Sequence, residues 1–234
     1  NVTFTGTVNG AKDLTVNSSG ATLFSAIVGG TTGLSSLTTD AGGTVTLQSV
    51  TTSGAQSYGD TTATLNGTNY ATTANGAFTV SGNTVLTNNA TVSTGTGNVT
   101  FTGTVNGAKD LTVNSSGETV FSAIVGGTTA LTSLTTDVGG NLTLSGVTTT
   151  AHQTYGETRL ATLTAKYSTN NHAFTIHANT TVSTMSLRVS TRNERVDLTG
   201  NARYLPTRTS RLVARRVLWK KNNRQTRNAA ASSR

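Results

Sequence analysis

The chain has 234 residues, one Pro, 25 Gly and no Cys, and about a fifth of it is Thr; with Val and Leu as the main aliphatics, this is a mix of high β and low helix propensity. Without Cys there is neither a disulfide framework nor a thiolate metal site, and no apolar run approaches the roughly 18 residues that a membrane-spanning helix needs. The formal charge of +8 averages two regions: residues 1–150 carry only Lys12 and Lys109 as bases, against Asp13, Asp40, Asp60, Asp110, Glu118 and Asp137, whereas ten bases and no acids follow from Arg203 onward.

The predicted strands are short and evenly spread. Val2/Phe4 and Leu14/Val16 alternate with polar neighbours, as half-buried strands do; Asn9-Gly10 and Ser19-Gly20 beside them are turn pairs that tolerate positive φ. Similar segments follow at Phe24/Ala26, Leu34, Val45/Leu47, Leu65, Phe78/Val80, Val85 and Val92. Gly29-Gly30, Asp40 to Gly43, Asn66-Gly67, Asn75-Gly76 and Ser81-Gly82 divide them. At Asn98 the chain begins again. NVTFTGTVNGAKDLTVNSSG fills both Asn1–Gly20 and Asn98–Gly117, and the SYGD of Ser57–Asp60 returns as TYGE at Thr154–Glu157, a period of 97 residues. A duplication this faithful is the mark of a module stacked for length, since a catalytic pocket needs unlike residues converging on one point.

Two all-β architectures suit such spacing, a tandem immunoglobulin-like sandwich and a parallel β-helix (β-solenoid) with a finer rung of about 20 residues. Phe4, Phe24, Val45, Leu65 and Val85 stand about 20 residues apart, as do Leu14 and Leu34. That ladder favours the solenoid, with like residues stacked along an inner face. The domain plan is then residues 1–97 as the first copy, 98–200 as the second copy with an eroded continuation, and 201–234 as a basic tail. In the eroded part Tyr167, Phe174 and Asn179-Thr180 echo Tyr70, Phe78 and Asn83-Thr84, and VDLTG at Val196–Gly200 answers VTFTG at Val99–Gly103. Asn1 already lies inside a repeat, so the chain reads as a piece of a longer protein.

The repeat stops at Gly200, and the tail is expected to be irregular or helical and outside the solenoid. Leu212, Val213, Val217, Leu218 and Trp219 among Arg211, Arg215 and Arg216 suit a basic amphipathic helix for nucleic acid or an anionic membrane. A disordered cationic end or a change of coding frame, which turns Thr and Asn codons into Arg codons, accounts for the same residues.

The polar side chains offer little chemistry at this stage. Asp40 in TTDAGG and Asp137 in TTDVGG are candidate calcium ligands, but the glycine- and aspartate-rich nonapeptide of calcium-binding β-rolls is absent, so Asx-turns are expected. Asp13 and Asp110, next to Lys12 and Lys109, read as solvated turn charges. His152, His172 and His177 have no Cys or carboxylate cluster to complete a ligand set and read as surface residues. Thr3, Thr5 and Thr7 could present hydroxyls to ice or glycans, although that spacing is not kept rung after rung and Thr suits any exposed β face. Sequons at Asn17, Asn89 and Asn114 permit glycosylation. The acids stand tens of residues apart and give no pair for general acid–base work. No catalytic, cofactor-binding or metal-binding residue is therefore assigned, and the chain is not read as an enzyme.

NVTFTGTVNGAKDLTVNSSG, AIVGGTTGLSSLTTDAGGTVTL and the TTSGAQSYGD step, recurring in order over roughly residues 1–200, resemble the β-strand repeats of filamentous-haemagglutinin-like and autotransporter-like bacterial surface proteins. The resemblance implies a secreted or surface-exposed adhesin built on a parallel β-helix, passive in mechanism, with host or neighbouring-cell glycans or proteins as partners. It brings no catalytic residue to these repeats. A glycan- or ice-binding hydroxyl array is the alternative reading, and a β-helical polysaccharide-active enzyme a remoter one.

Overall fold

Strands of two to six residues cannot bury an apolar face against their neighbours in sequence; here each buries it by stacking on the next turn of the chain. The computed structural model is an all-β parallel solenoid of about 8 turns, with no helix among the described residues. The structure describes residues 1–157, 160–163, 166–170, 172–176, 180–182, 188–190, 196–199, 203–204 and 217–220. Every strand pairing among them is parallel, which excludes the tandem sandwich. This is the architecture of β-helix repeat proteins.

Each turn visits three faces in order. The first face opens with Val2–Phe4 and Ala21–Phe24, and the third with Asp13–Val16 and Ser36–Thr39. The second opens with single bridges, Val8 to Val28 to Val50, that lead into the strand Val50–Thr52. Paired residues on successive rungs are 18 to 23 apart, as in Thr44 with Thr62 and Asp13 with Ser36.

That variable step corrects the expected ladder. Phe4 does pair with Phe24, and their rings stack with centroids 4.6 Å apart and 3° between planes. Leu23 pairs with Thr46, however, which puts Phe24 level with Leu47, and the column continues through Leu65 to Leu86. Val45 is buried in the neighbouring column, between Thr22 and Ala63. Val85 pairs with Thr64 and is 36% exposed, and Leu14 meets Leu37 rather than Leu34. A one-residue slip in a strand sends a side chain to the opposite face. Loops of unequal length therefore undo any ladder counted in equal steps.

The two copies do not sit on the same faces. Val2–Phe4 lies on the first face and its identical counterpart Val99–Phe101 on the third; Asp13–Val16 lies on the third and Asp110–Ser115 on the second; Val50–Thr52 lies on the second and Val147–Thr149 on the first. Between Asn1 and Asn98 the chain makes four full turns and then passes two more faces. At the usual strand spacing, one copy advances the solenoid by roughly 22 Å.

Two stretches beyond Gly200 are among the described residues. Arg203–Tyr204 pairs with Thr181-Val182, and Val217–Lys220 pairs with Val196–Thr199. The pattern of Val217, Leu218 and Trp219 suits a strand as well as a helix. In register, Arg203 follows Thr143, Thr162 and Thr181, and Val217 and Trp219 follow Val196 and Leu198, which pair with Phe174 and Ile176. Arg211, Arg215 and Arg216 lie outside the described residues.

Candidate functional site

The surface with the most regular chemistry is made by the middle residue of successive strands, which the pleat directs outward. On the third face Thr15, Thr38, Ser57, Thr79 and Thr100 pair in one unbroken file, followed by Val120 and Thr143. On the second face the file is Thr91, Thr112, Thr135, Thr154 and Thr175. Thr15 is exposed and the other side chains of the two files are half-buried, and the strand spacing sets one such residue about every 4.8 Å along the axis. The third-face file from Thr15 and the second-face file from Thr112 are copies of one sequence, displaced by the rotation between repeats. The Thr3 position does not build such a file, for its column runs through Leu23, Thr46, Thr64 and Val85. Hydroxyl files kept rung after rung thus exist, but on faces where the unequal steps conceal them in the sequence.

The acids serve the stacking. Asp13 Oδ1 accepts a 2.6 Å bond from Ser36 Oγ, and Asp110 repeats it with Ser133. Asp40 Oδ1 accepts from the Ser18 amide at 2.8 Å, and Asp137 from that of Ser115 at 2.9 Å. These carboxylates bridge to another rung, whereas an Asx-turn would close on the residue's own turn. Asparagines at the corners act likewise: Asn9, Asn75, Asn83 and Asn89 accept from the amides of Thr31, Thr96, Thr104 and Asp110 at 2.9–3.0 Å. Among the described residues no group of three or more His, Cys, Asp or Glu side chains is placed to hold a metal ion. His152 and His172 meet edge-on across adjacent rungs, 5.0 Å between ring centroids, a contact the sequence reading missed. His177 lies outside the described residues.

Asp60 and Glu157 occupy the same place in the two copies and are almost wholly buried. Thr39 donates its hydroxyl to Asp60 Oδ2, while Asp60 Oδ1 and Glu157 Oε2 meet no hydrogen-bond partner among the described residues. Burial raises the Asp60 carboxyl above its ordinary range, with the Thr39 bond offsetting part of the rise. Burial also pushes Glu157 up to about 7, and the charge of Asp137 adds to the effect.

Gln56, Tyr58 and Asp60 of the QSYGD phrase prove to be interior, while Ser57 between them faces outward. Gln56 Nε2 donates to the Ala71 carbonyl at 2.9 Å and reaches the Val50 carbonyl and Thr52 Oγ1 at 3.4 and 3.3 Å. Tyr58 donates to Gln56 Oε1 at 3.1 Å, and Tyr70 donates to the Leu47 carbonyl at 3.1 Å. Gln153, Tyr155 and Tyr167 rebuild the set two faces further round. This network joins the three faces through the core, where an unsatisfied polar group costs most.

No family model, curated protein or solved structure matches the chain. No helix among the described residues is long and apolar enough to cross a membrane.

Proposed function

We propose that the chain is a structural repeat segment of a secreted or surface-exposed bacterial adhesin, binding passively through its outer faces. The observation that carries this reading is the division of labour among polar groups. Acids, corner asparagines and the buried Gln-Tyr sets hold rung to rung, while regular rows of hydroxyls face outward. The likeness of the repeats to filamentous-haemagglutinin-like sequences supports the same conclusion, and glycans or proteins of a neighbouring cell surface are the partners it suggests. The test is retention of the full chain on cell surfaces or a glycan array, with no product formed from a polysaccharide panel. Turnover abolished by one Asp substitution would replace the adhesive reading with an enzymatic one.

A second reading draws on the hydroxyl files themselves. Rows spaced at about 4.8 Å suit an extended glycan or an ice surface. Thr→Val at Thr112, Thr135 and Thr154 keeps the β-branched shape and removes three adjacent hydroxyls. Loss of retention on one such surface favours this reading; unchanged retention excludes it.

A further inference from the structure

The second copy departs from the first at two places that the fold brings together. His152 stands where the first copy has Ala55, and His172 where it has Gly76. The hydrogen bonds give the same correspondence. The Ala55 and His152 carbonyls accept from the amides of Leu37 and Leu134 at 3.1 and 3.2 Å, and the Gly76 and His172 carbonyls accept from the hydroxyls of Thr72 and Thr169, both at 2.6 Å. The first copy thus builds this corner with neither ring, so the histidines are not what holds the rung. It also has no room for the second of them, because a Cβ on Gly76 would overlap the Gly54 carbonyl. The corner of the second copy is one residue shorter, three residues from Thr169 to His172 against four from Thr72 to Gly76, and carries a side chain at that place.

Gln153 pairs with Phe174, which sets the two histidines on adjacent rungs at the edge of the second face, beside Thr154 and Thr175. His152 is exposed and His172 half-buried. Their ring centroids are 5.0 Å apart. A zinc–nitrogen bond of about 2.0 Å, with about 1.1 Å more to the ring centre, puts an imidazole centroid about 3.1 Å from the ion. Two such ligands at the tetrahedral angle have centroids about 5 Å apart, and at a right angle about 4.4 Å. A ring turns about its metal–nitrogen bond without moving its centroid, so the 75° between the planes suits the same arrangement.

We infer that His152 and His172 form a binding site for a divalent transition metal ion of the zinc type, held by one nitrogen from each ring. Imidazole selects zinc, copper and nickel over magnesium and calcium, which prefer oxygen. Both backbones are already pinned through their carbonyls, so the two rings are placed before an ion arrives. Among the described residues no third histidine or carboxylate completes the set. The remaining positions of a tetrahedral ion are therefore left to water or to a donor atom from outside, on the side of the molecule that carries the Thr154 and Thr175 hydroxyls. The inference stands apart from the adhesive reading, because the pair binds an ion whether or not the outer faces hold a glycan or a protein.

The test is titration of the full chain with zinc chloride, with magnesium chloride as the control, followed by calorimetry and by the imidazole proton resonances. One equivalent of zinc should bind and shift the signals of two of the three histidines, and magnesium should do neither. His152→Ala installs the residue that the first copy has at this place and should keep the metal-free melting curve of the parent. It and His172→Ala should each weaken zinc binding by about tenfold or more, since losing a ligand costs at least as much as losing the hydrogen-bond partner of a ligand. His177→Ala should bind zinc as the parent does. Unchanged binding by either variant of the pair, equal loss in His177→Ala, or an equal response to magnesium would each overturn the inference.

Discussion

Glu157→Gln should remove a pH-dependent weakness. The Glu157 carboxyl titrates near 7 in the folded chain because burial penalises its charge, against an ordinary value of 4.5. The folded state therefore holds the proton more tightly than the unfolded state does. Its contribution is fully present below about 4.5, falls as pH rises between about 4.5 and 7, and stays lost above that window. At about 1.4 kcal/mol per pH unit, this span amounts to roughly 3 kcal/mol. The glutamine is neutral throughout and close in shape. The variant should match the parent at pH 4 and exceed it by about 2–3 kcal/mol at pH 8. Urea unfolding followed by far-ultraviolet circular dichroism at pH 4, 6 and 8 reads the difference, and subtracting parent from variant cancels the remaining titrating groups, Asp60 among them. A flat difference curve, or a variant that gains stability toward acid, would refute the assignment of a desolvated carboxyl at this corner.

Three further outcomes are expected. Gln56→Ala should cost about 2–4 kcal/mol, because it opens space in the core and strips partners from Tyr58 and from the Ala71 carbonyl; a loss below about 0.5 kcal/mol in urea melts would contradict the buried network. Phe101→Ala should cost about 3–5 kcal/mol, and Phe4→Ala measurably less in the same assay, although the two residues sit in identical sequence, because only Phe101 is enclosed on both sides. Gly140→Ala should destabilise by about 1–3 kcal/mol, since this residue has a φ of 63° and its Cβ would overlap the Gly117 carbonyl; an unchanged melting curve would show that the corner can relax.

Fold class, the stacking of Phe4 on Phe24 and the inward run of alternating residues were legible in the sequence, because a period of two is a direct record of burial. The partners of Val45, Leu34 and Val85 were not. Each rung closes through corners of different length, so equal counting steps drift out of register by one to three residues. The hydroxyl files were hidden for the same reason: Thr15, Thr38, Ser57 and Thr79 are separated by unequal intervals. The QSYGD phrase stood out as a recurrence, but polar residues give no hydrophobic signal, and their enclosure depends on carbonyls from the preceding and following rungs. The burial of Asp60 and Glu157 was not legible, because nothing local marks a carboxylate as buried.

The rotation between copies has a further consequence. Ile27 and Ile124, the exposed isoleucines of the two repeats, precede Val28 on the second face and Val125 on the first. With two faces of offset per copy, three copies are needed before any feature returns to the side on which it started. Recombination that adds or removes one 97-residue unit leaves every rung able to stack, yet it turns everything beyond the junction by a third of a revolution. Repeat number would then act as an angular setting as well as a length, fixing which side of a distant segment faces a given surface.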